Sequence, residues 1–88
     1  MLNQDIKILN ETGVHARPAS ALTQLASSFV SEIKFVKDDT IYDAKSIINI
    51  LSMGLKFEEI INLQVEGIDE ADAIVAITEL FETKFGEE

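Results

Sequence analysis

The chain has 88 residues, 47% of them hydrophobic and 26% charged, fractions typical of one globular domain with one core, here residues 1–88. Its 16 acidic and seven basic residues give a net charge of −9, which disfavours direct binding to nucleic acid, and the absence of cysteine excludes disulfides and thiolate metal sites. Neither a secretory signal nor a run of ~18 apolar residues is present, so we expect a cytoplasmic protein that does not contact membranes.

The first predicted elements are a strand and a helix. Alternation of side chains from Leu2 to Leu9 is typical of a strand with one buried face. A helix from about Ala16 to Ser28 follows, with Pro18 in its first turn, where the missing amide hydrogen removes no hydrogen bond. The positions expected on its buried side recur at helical spacing: Ala19, Leu22, Leu25, Ala26, Phe29 and Val30.

A hairpin and a short helix are predicted in the middle of the chain. Glu32–Lys37 and Thr40–Asp43 have the pattern of strands joined by a two-residue turn at Asp38-Asp39, and the second strand is a candidate edge strand. Ile47–Met53 then predicts a helix of about two turns that ends at Gly54.

The last predicted elements are a strand and a helix. The strand contains Ile61, Leu63 and Val65 and ends at Gly67, and Asp69 is expected to cap the helix. The buried side of that helix is expected to contain Ile74, Ile77, Thr78, Phe81 and Phe85. The order strand, helix, strand, strand, helix, strand, helix predicts an α+β domain in which helices cover one face of an antiparallel sheet.

The only histidine of the chain, His15, lies at the predicted start of the first helix, between the turn residue Gly13 and the pair Arg17 and Pro18. A helix start offers backbone N–H groups and the positive end of the helix dipole, which stabilise an anion. A neutral imidazole there can attack phosphorus, and the Arg17 guanidinium can pair with the phosphoryl group for ~1.5–3 kcal/mol. Such modest stabilisation of the phosphoryl group suits a carrier, because the group must be released to the next protein. The alternative is a surface or capping histidine.

The short helix leaves two questions open. Ser46 immediately precedes an apolar helical run and is therefore a natural N-cap. The run Ile47–Leu51 has more apolar residues than a two-turn helix buries on one side, which predicts that Ile50 and Met53 face the core while Ile47 or Ile48 and Leu51 remain exposed near His15. The alternative is a wholly buried helix.

The segments Gly13–Ala19 and Ala44–Leu55, about thirty residues apart, closely resemble the two motifs of HPr, the family of histidine-containing phosphocarriers of the bacterial sugar phosphotransferase system. The resemblance extends over the entire chain. It implies an open-faced β-sandwich, in which a four-stranded antiparallel sheet of order 1-4-2-3 is covered on one face by three helices.

The resemblance also implies roles for individual residues. His15 would accept a phosphoryl group from phospho-Enzyme I on Nδ1 and pass it to the IIA domains of sugar permeases, with Arg17 as phosphate partner and Pro18 holding the helix start. The protein would be a monomeric phosphoryl carrier rather than an enzyme, with no cofactor and no metal. Enzyme I and the permease domains would dock on a surface that consists of Ala16, Ser20, Gln24, Ser27, Ile47, Ile48 and Leu51.

Ser46 matches the serine that HPr kinase/phosphorylase modifies in the Gram-positive pattern. That modification would slow phosphorylation of His15 and recruit a LacI-type catabolite regulator, which links the protein to carbon catabolite repression. A phosphate would add about −2 charge at a helix start, where the helix dipole tolerates it. HPr of enteric bacteria also carries a serine here, so the purely structural role as N-cap stays open.

One departure and three alternatives accompany the resemblance. Common HPr patterns carry lysine or arginine around the exposed face of the first helix, whereas Arg17 is the only charged residue from Thr12 to Ser31. The alternatives are the nitrogen-related phosphotransferase branch, a regulatory binding module without phosphotransfer, and a small-ligand-binding domain. The segment from Lys45 to Leu55 favours the sugar branch over the nitrogen-related branch. The presence of His15 disfavours the regulatory module. Ligand binding lacks support, because the sequence has neither a glycine-rich loop nor metal-ligand spacing.

Overall fold

The structure is a computed structural model that describes residues 1–86. Its elements occur in the predicted order: β1 (Leu2–Lys7), α1 (Ala16–Ser27), β2 (Glu32–Lys37), β3 (Thr40–Asp43), α2 (Ile47–Ser52), β4 (Ile60–Glu66), α3 (Glu70–Glu82) and a 3₁₀ turn (Lys84–Gly86). Among these residues, no helix is long and apolar enough to cross a membrane.

The four strands form one antiparallel sheet of order β1-β4-β2-β3, which confirms the order implied by the family resemblance. The hairpin between β2 and β3 turns at Asp38 and Asp39, whose φ angles of 51° and 63° are both left-handed. This is the backbone conformation of a two-residue turn that matches the twist of the flanking strands. β3 is an edge strand, as predicted.

One face of the sheet is buried against the helices. Cross-strand register places Phe35 opposite Leu63 and Ile33 opposite Val65, and all four side chains are buried. The Phe81 ring of α3 meets the Phe35 ring edge to face, with centroids 5.7 Å apart, so α3 is packed directly on the centre of the sheet. The predicted α+β class with helices on one face is therefore confirmed.

Two expectations about helix sides were wrong in part. Val30 is 74% exposed because α1 ends at Ser27, and helical spacing no longer determines the direction of a side chain in the following loop. In α3 the sequence pattern missed Ala73, which is fully buried. Phe85 was expected on the buried side of the helix but lies beyond its end, in the 3₁₀ turn, where its ring packs against that of Phe81 with centroids 4.8 Å apart.

Asp69 occupies the N-cap position of α3, but its carboxylate caps a different segment. It accepts hydrogen bonds from the backbone N–H groups of Val30 and Ser31, both at 3.0 Å, and from the Ser31 hydroxyl. The expected side-chain cap of α3 is therefore wrong, and Asp69 instead connects the start of α3 to the start of β2. These bonds, first of all the one from the Ser31 hydroxyl, hold the pKa of the Asp69 carboxyl below its ordinary value of 3.8.

Replacing Asp69 by asparagine is expected to destabilise the fold at neutral pH, because an amide offers one acceptor oxygen where the carboxylate offers two. A carboxyl with a lowered folded-state pKa contributes stability above its unfolded value, and this contribution is lost as the pH falls through the folded value. The difference in unfolding free energy between the wild type and Asp69→Asn, measured by urea denaturation, should therefore be present at pH 7 and shrink below about pH 4. A difference that is independent of pH would contradict this assignment.

Candidate functional site

His15 lies at the N-cap of α1 with an exposed side chain and extended backbone angles, φ −105° and ψ −163°. The first backbone hydrogen bond of the helix runs from the Ala19 N–H to the His15 carbonyl at 2.9 Å. Backbone N–H groups before Ala19 therefore point toward the helix start, where the dipole is positive. The imidazole is thus accessible to another protein at an end of the helix that favours an anion.

Arg17 and Pro18 occupy the first turn of α1 in opposite environments. The Arg17 side chain is exposed and belongs to the first turn of α1, two positions beyond His15. Pro18 is fully buried, so it anchors the helix start in the core. Proline is tolerated in this turn because its nitrogen has no intrahelical partner to bind. The first turn of α1 therefore carries the exposed cation of Arg17 next to a proline that is buried in the core.

The turn before His15 lies against the segment that follows α2. The Val14 N–H donates to the Leu55 carbonyl at 3.2 Å, and the Gly13 N–H donates to the Asn10 carbonyl at 2.9 Å. Gly13 has a left-handed φ of +73°, and a Cβ at this position would collide with the Leu55 carbonyl oxygen. Only glycine allows this close approach, so the position of His15 depends on Gly13 and on the chain after α2.

Helix α2 has one buried and one exposed side. Ile50 and Met53 are buried, whereas Ile47, Ile48 and Leu51 are exposed, Ile48 to 73%. The prediction of an exposed patch is confirmed, and the alternative of a wholly buried helix is wrong. We call Ile47, Ile48 and Leu51 the α2 patch.

The α1 positions singled out from the sequence lie on the outer side of that helix. Ala16, Gln24 and Ser27 are exposed and Ser20 is half-buried, with the Gln24 side-chain amide donating to the Ser20 hydroxyl at 3.4 Å. Because α1 and α2 are packed against each other, these side chains and the α2 patch belong to neighbouring helices. Exposed apolar side chains bordered by polar ones are a common feature of protein interaction sites.

Ser46 is the N-cap of α2, as predicted. Its hydroxyl oxygen accepts hydrogen bonds from the backbone N–H of Asn49 at 3.3 Å and from the Asn49 side-chain amide at 3.2 Å. The side-chain oxygen Oδ1 of Asn49 in turn accepts from the Asp43 N–H at 3.2 Å. The side chain is half-buried, and its hydroxyl is held in place by the helix that it caps.

Lys45 precedes Ser46, and the sequence did not predict the contact that its side chain makes. Its ammonium group donates to the Phe29 carbonyl at 2.7 Å, just beyond the end of α1. A cation at the end of a helix compensates the negative end of the helix dipole, and α1 has no basic residue in its own last turn. No local pattern signals this contact, because the two residues are 16 positions apart in the chain.

Among residues 1–86, no group of three or more histidine and acidic side chains is placed to hold a metal ion.

A family model described as "PTS HPr component phosphorylation site" matches residues 2–83. The chain belongs to the HPr family. HPr of Treponema pallidum is 43% identical over 88 residues, and the match covers 100% of both chains. HPr of Neisseria meningitidis serogroup A is 40% identical over 87 residues, and the match covers 99% of this chain and 98% of that one.

Solved structures support the same assignment. The crystal structure of an HPr from Thermoanaerobacter tengcongensis has a TM-score of 0.95 and 46% identity, and the match covers 100% of this chain and 99% of that chain. The protein is accordingly a phosphocarrier of the phosphotransferase system and not an enzyme, as the resemblance implied.

Replacing Gly13 by alanine is expected to destabilise the protein by about 2 kcal/mol or more, because the left-handed backbone disfavours a side chain and the new Cβ would displace the Leu55 carbonyl. Gly54→Ala is the matched control. Its φ of +59° is also left-handed, but a Cβ there meets no atom within 4 Å, so only the cost of the left-handed conformation, about 1 kcal/mol, applies. Urea denaturation should show the larger loss for Gly13→Ala, and equal losses would show that the contact with Leu55 has no effect.

Proposed function

We propose that His15 is the phosphoryl carrier, which accepts the group from phospho-Enzyme I on Nδ1 and passes it to the IIA domains of sugar permeases. The observation that carries the proposal is the position of the only histidine of a phosphocarrier, exposed at the amino end of α1. The entire chain, residues 1–88, would act as one carrier domain. The Lys45–Leu55 segment favours the sugar branch of the phosphotransferase system over the nitrogen-related branch.

Each transfer is a substitution at phosphorus. The lone pair of the neutral imidazole Nδ1 forms a bond to phosphorus while the bond from phosphorus to the donor atom of Enzyme I breaks, and the electron pair of that bond stays with the donor. The proton on Nε2 stays in place. In the second transfer, Nδ1 is the leaving group and an atom of the IIA domain is the nucleophile.

Arg17 and the start of α1 stabilise the charge on the phosphoryl oxygens in this proposal. The exposed guanidinium offers several N–H donors in a planar fork, and the helix dipole adds ~0.3–1 kcal/mol. Pro18, buried below, holds the first turn in place. The total is small enough for the group to be released to the next protein.

The docking surface for Enzyme I and the IIA domains is proposed to combine both helices. It consists of Ala16, Ser20, Gln24, Ser27 and the α2 patch. The exposure of the α2 patch next to the helix that begins at His15 supports the assignment, because clustered exposed apolar side chains bordered by polar ones are characteristic of an interaction site. A partner that covers the surface would place its own reacting group over His15.

We propose a monomer in the cytoplasm, without direct contact to nucleic acid or membrane. The net charge of −9 supports the exclusion of nucleic acid, since it repels phosphates. A structurally similar chain, 48% identical with a TM-score of 0.79, is described as an HPr dimer from Thermoanaerobacter tengcongensis. Sedimentation of the purified protein distinguishes the two states.

Ser46 is proposed as a regulatory phosphorylation site for an HPr kinase/phosphorylase, with a LacI-type catabolite regulator as the partner of the modified form. Its hydroxyl lies at the start of α2, next to the α2 patch. A phosphate there would change the charge of the docking surface while the fold is retained. Carbon catabolite repression would follow from that change in docking.

Incubation with Enzyme I and labelled phosphoenolpyruvate is expected to transfer label to the wild type and none to His15→Ala, which lacks the nucleophile. For Arg17→Ala, kcat/KM of the labelling reaction should be about 10- to 100-fold lower than for the wild type, because the variant loses one charge-assisted hydrogen bond to the phosphoryl group. Label is measured after separation of the proteins on a gel. An unlabelled wild type, or a labelled His15→Ala, would disprove the assignment.

Incubation with ATP and an HPr kinase is expected to modify the wild type but not Ser46→Ala, and the modified wild type should accept phosphate from Enzyme I more slowly. Ser46→Ala also loses an N-cap, which reduces stability by about 1 kcal/mol. Ser52→Ala is therefore the control, since Ser52 lies in the same helix and its hydroxyl donates to the Ile48 carbonyl instead. Mass spectrometry locates the phosphate, and modification of Ser46→Ala would refute the site.

A further inference from the structure

Lys37, the last residue of β2, contacts the end of α2. Its side chain projects from the helix-covered face of the sheet, on the same side as Phe35, and its ammonium group donates to the Met53 carbonyl at 2.7 Å and to the Gly54 carbonyl at 3.4 Å. α2 has no basic residue in its own last turn. Lys37 therefore supplies the cation that the carbonyl end of this helix favours.

The same ammonium group forms an ion pair with Glu59, in the segment between α2 and β4. Its nitrogen lies 3.2 Å from Oε1 and 3.1 Å from Oε2, and the side chains of Lys37 and Glu59 are only 15% and 31% exposed. Glu59 Oε1 also accepts a hydrogen bond from the Lys56 N–H at 2.6 Å. This backbone donor, and then Lys37, hold the pKa of Glu59 below its ordinary value, so the carboxylate is charged at neutral pH.

The segment that Glu59 holds is the one on which the His15 turn rests. The Leu55 carbonyl accepts from the Val14 N–H, and Ile8 exchanges backbone hydrogen bonds with Glu58 and Glu59, each at 2.8 Å. One lysine thus joins the end of α2, the 55–59 segment and, through that segment, the turn that leads into His15. Each step of this connection is a direct hydrogen bond, an ion pair or the covalent backbone between Leu55 and Glu59.

We propose that Lys37 is a positioning residue that sets the spacing between the α2 patch and His15, with Glu59 as its partner. A partner protein must contact the α2 patch and reach the imidazole at the same time, so a shift of α2 against the His15 turn would weaken docking. The groups that Lys37 binds, the Met53 and Gly54 carbonyls and the Glu59 carboxylate, do not belong to the proposed docking surface. This inference rests on the proposed function of His15.

The test compares Lys37→Met, Lys37→Arg and Lys34→Met as substrates of Enzyme I. Methionine retains an apolar stem of similar length but cannot bind the carbonyls or Glu59, so KM for the carrier is expected to rise about three- to tenfold while kcat changes less than twofold. Arginine keeps the charge and donors and should restore KM to near the wild-type value. Lys34 lies on the same strand but on the opposite face, where it pairs loosely with exposed Glu32 at 4.0 Å, so its variant should behave as wild type.

A second measurement follows the link in the free protein by amide hydrogen exchange. In Lys37→Met the Val14 amide, which donates to Leu55, should exchange about tenfold faster, while Leu63 in the central strand β4 keeps its protection. Faster exchange at both amides would indicate general loss of stability and overturn the positioning role.

The kinetic outcomes separate this inference from the proposed function. An unlabelled wild type would end the proposal that His15 is the carrier. A labelled wild type with an unchanged KM for Lys37→Met would refute the role of Lys37 alone. An equal rise in KM for Lys34→Met would show a general effect of lost positive charge and would also refute it.

Discussion

The structure depends on covering one apolar face of a four-stranded sheet. Side chains alternate along each strand, so Ile33, Phe35 and Leu63 are directed to the same side, where the three helices lie. Contact with that single face makes α1 and α2 neighbours and brings the turn before α1 against the segment after α2. The surroundings of His15 are a consequence of this packing, because isolated helices as short as α1 and α2 are at best marginally stable in water.

Side chains distant in sequence compensate the charge at the helix ends. Lys45 binds the Phe29 carbonyl beyond α1 and Lys37 binds the Met53 carbonyl at the end of α2, although neither helix has a basic residue in its last turn. Asp69 binds the amides at the start of β2 from its position at the start of α3. Short helices gain little from their own hydrogen bonds, so such tertiary contacts define where they lie.

A carrier must bind a phosphoryl group weakly enough to release it to the next protein. In the function proposed for His15, the exposed imidazole, the Arg17 guanidinium and the start of α1 would stabilise a phosphoryl group only modestly. In the proposed function, the energy that selects the correct partner comes from a separate surface, which includes the α2 patch and the outer side of α1. The proposal therefore assigns phosphoryl attachment and partner recognition to different residues, and the position of one set relative to the other becomes important.

Much of this protein was determined by the sequence itself. Period-two and helical patterns predicted all four strands and three helices, the Asp38-Asp39 turn and the Ser46 cap, because these depend on near neighbours in the chain. Only the tertiary structure decided that Asp69 binds Val30 and Ser31 rather than capping α3. It likewise decided the contacts of Lys37 and Lys45. Those partners are 16 to 39 positions away, and a local pattern contains no information about which distant groups the packed core brings together.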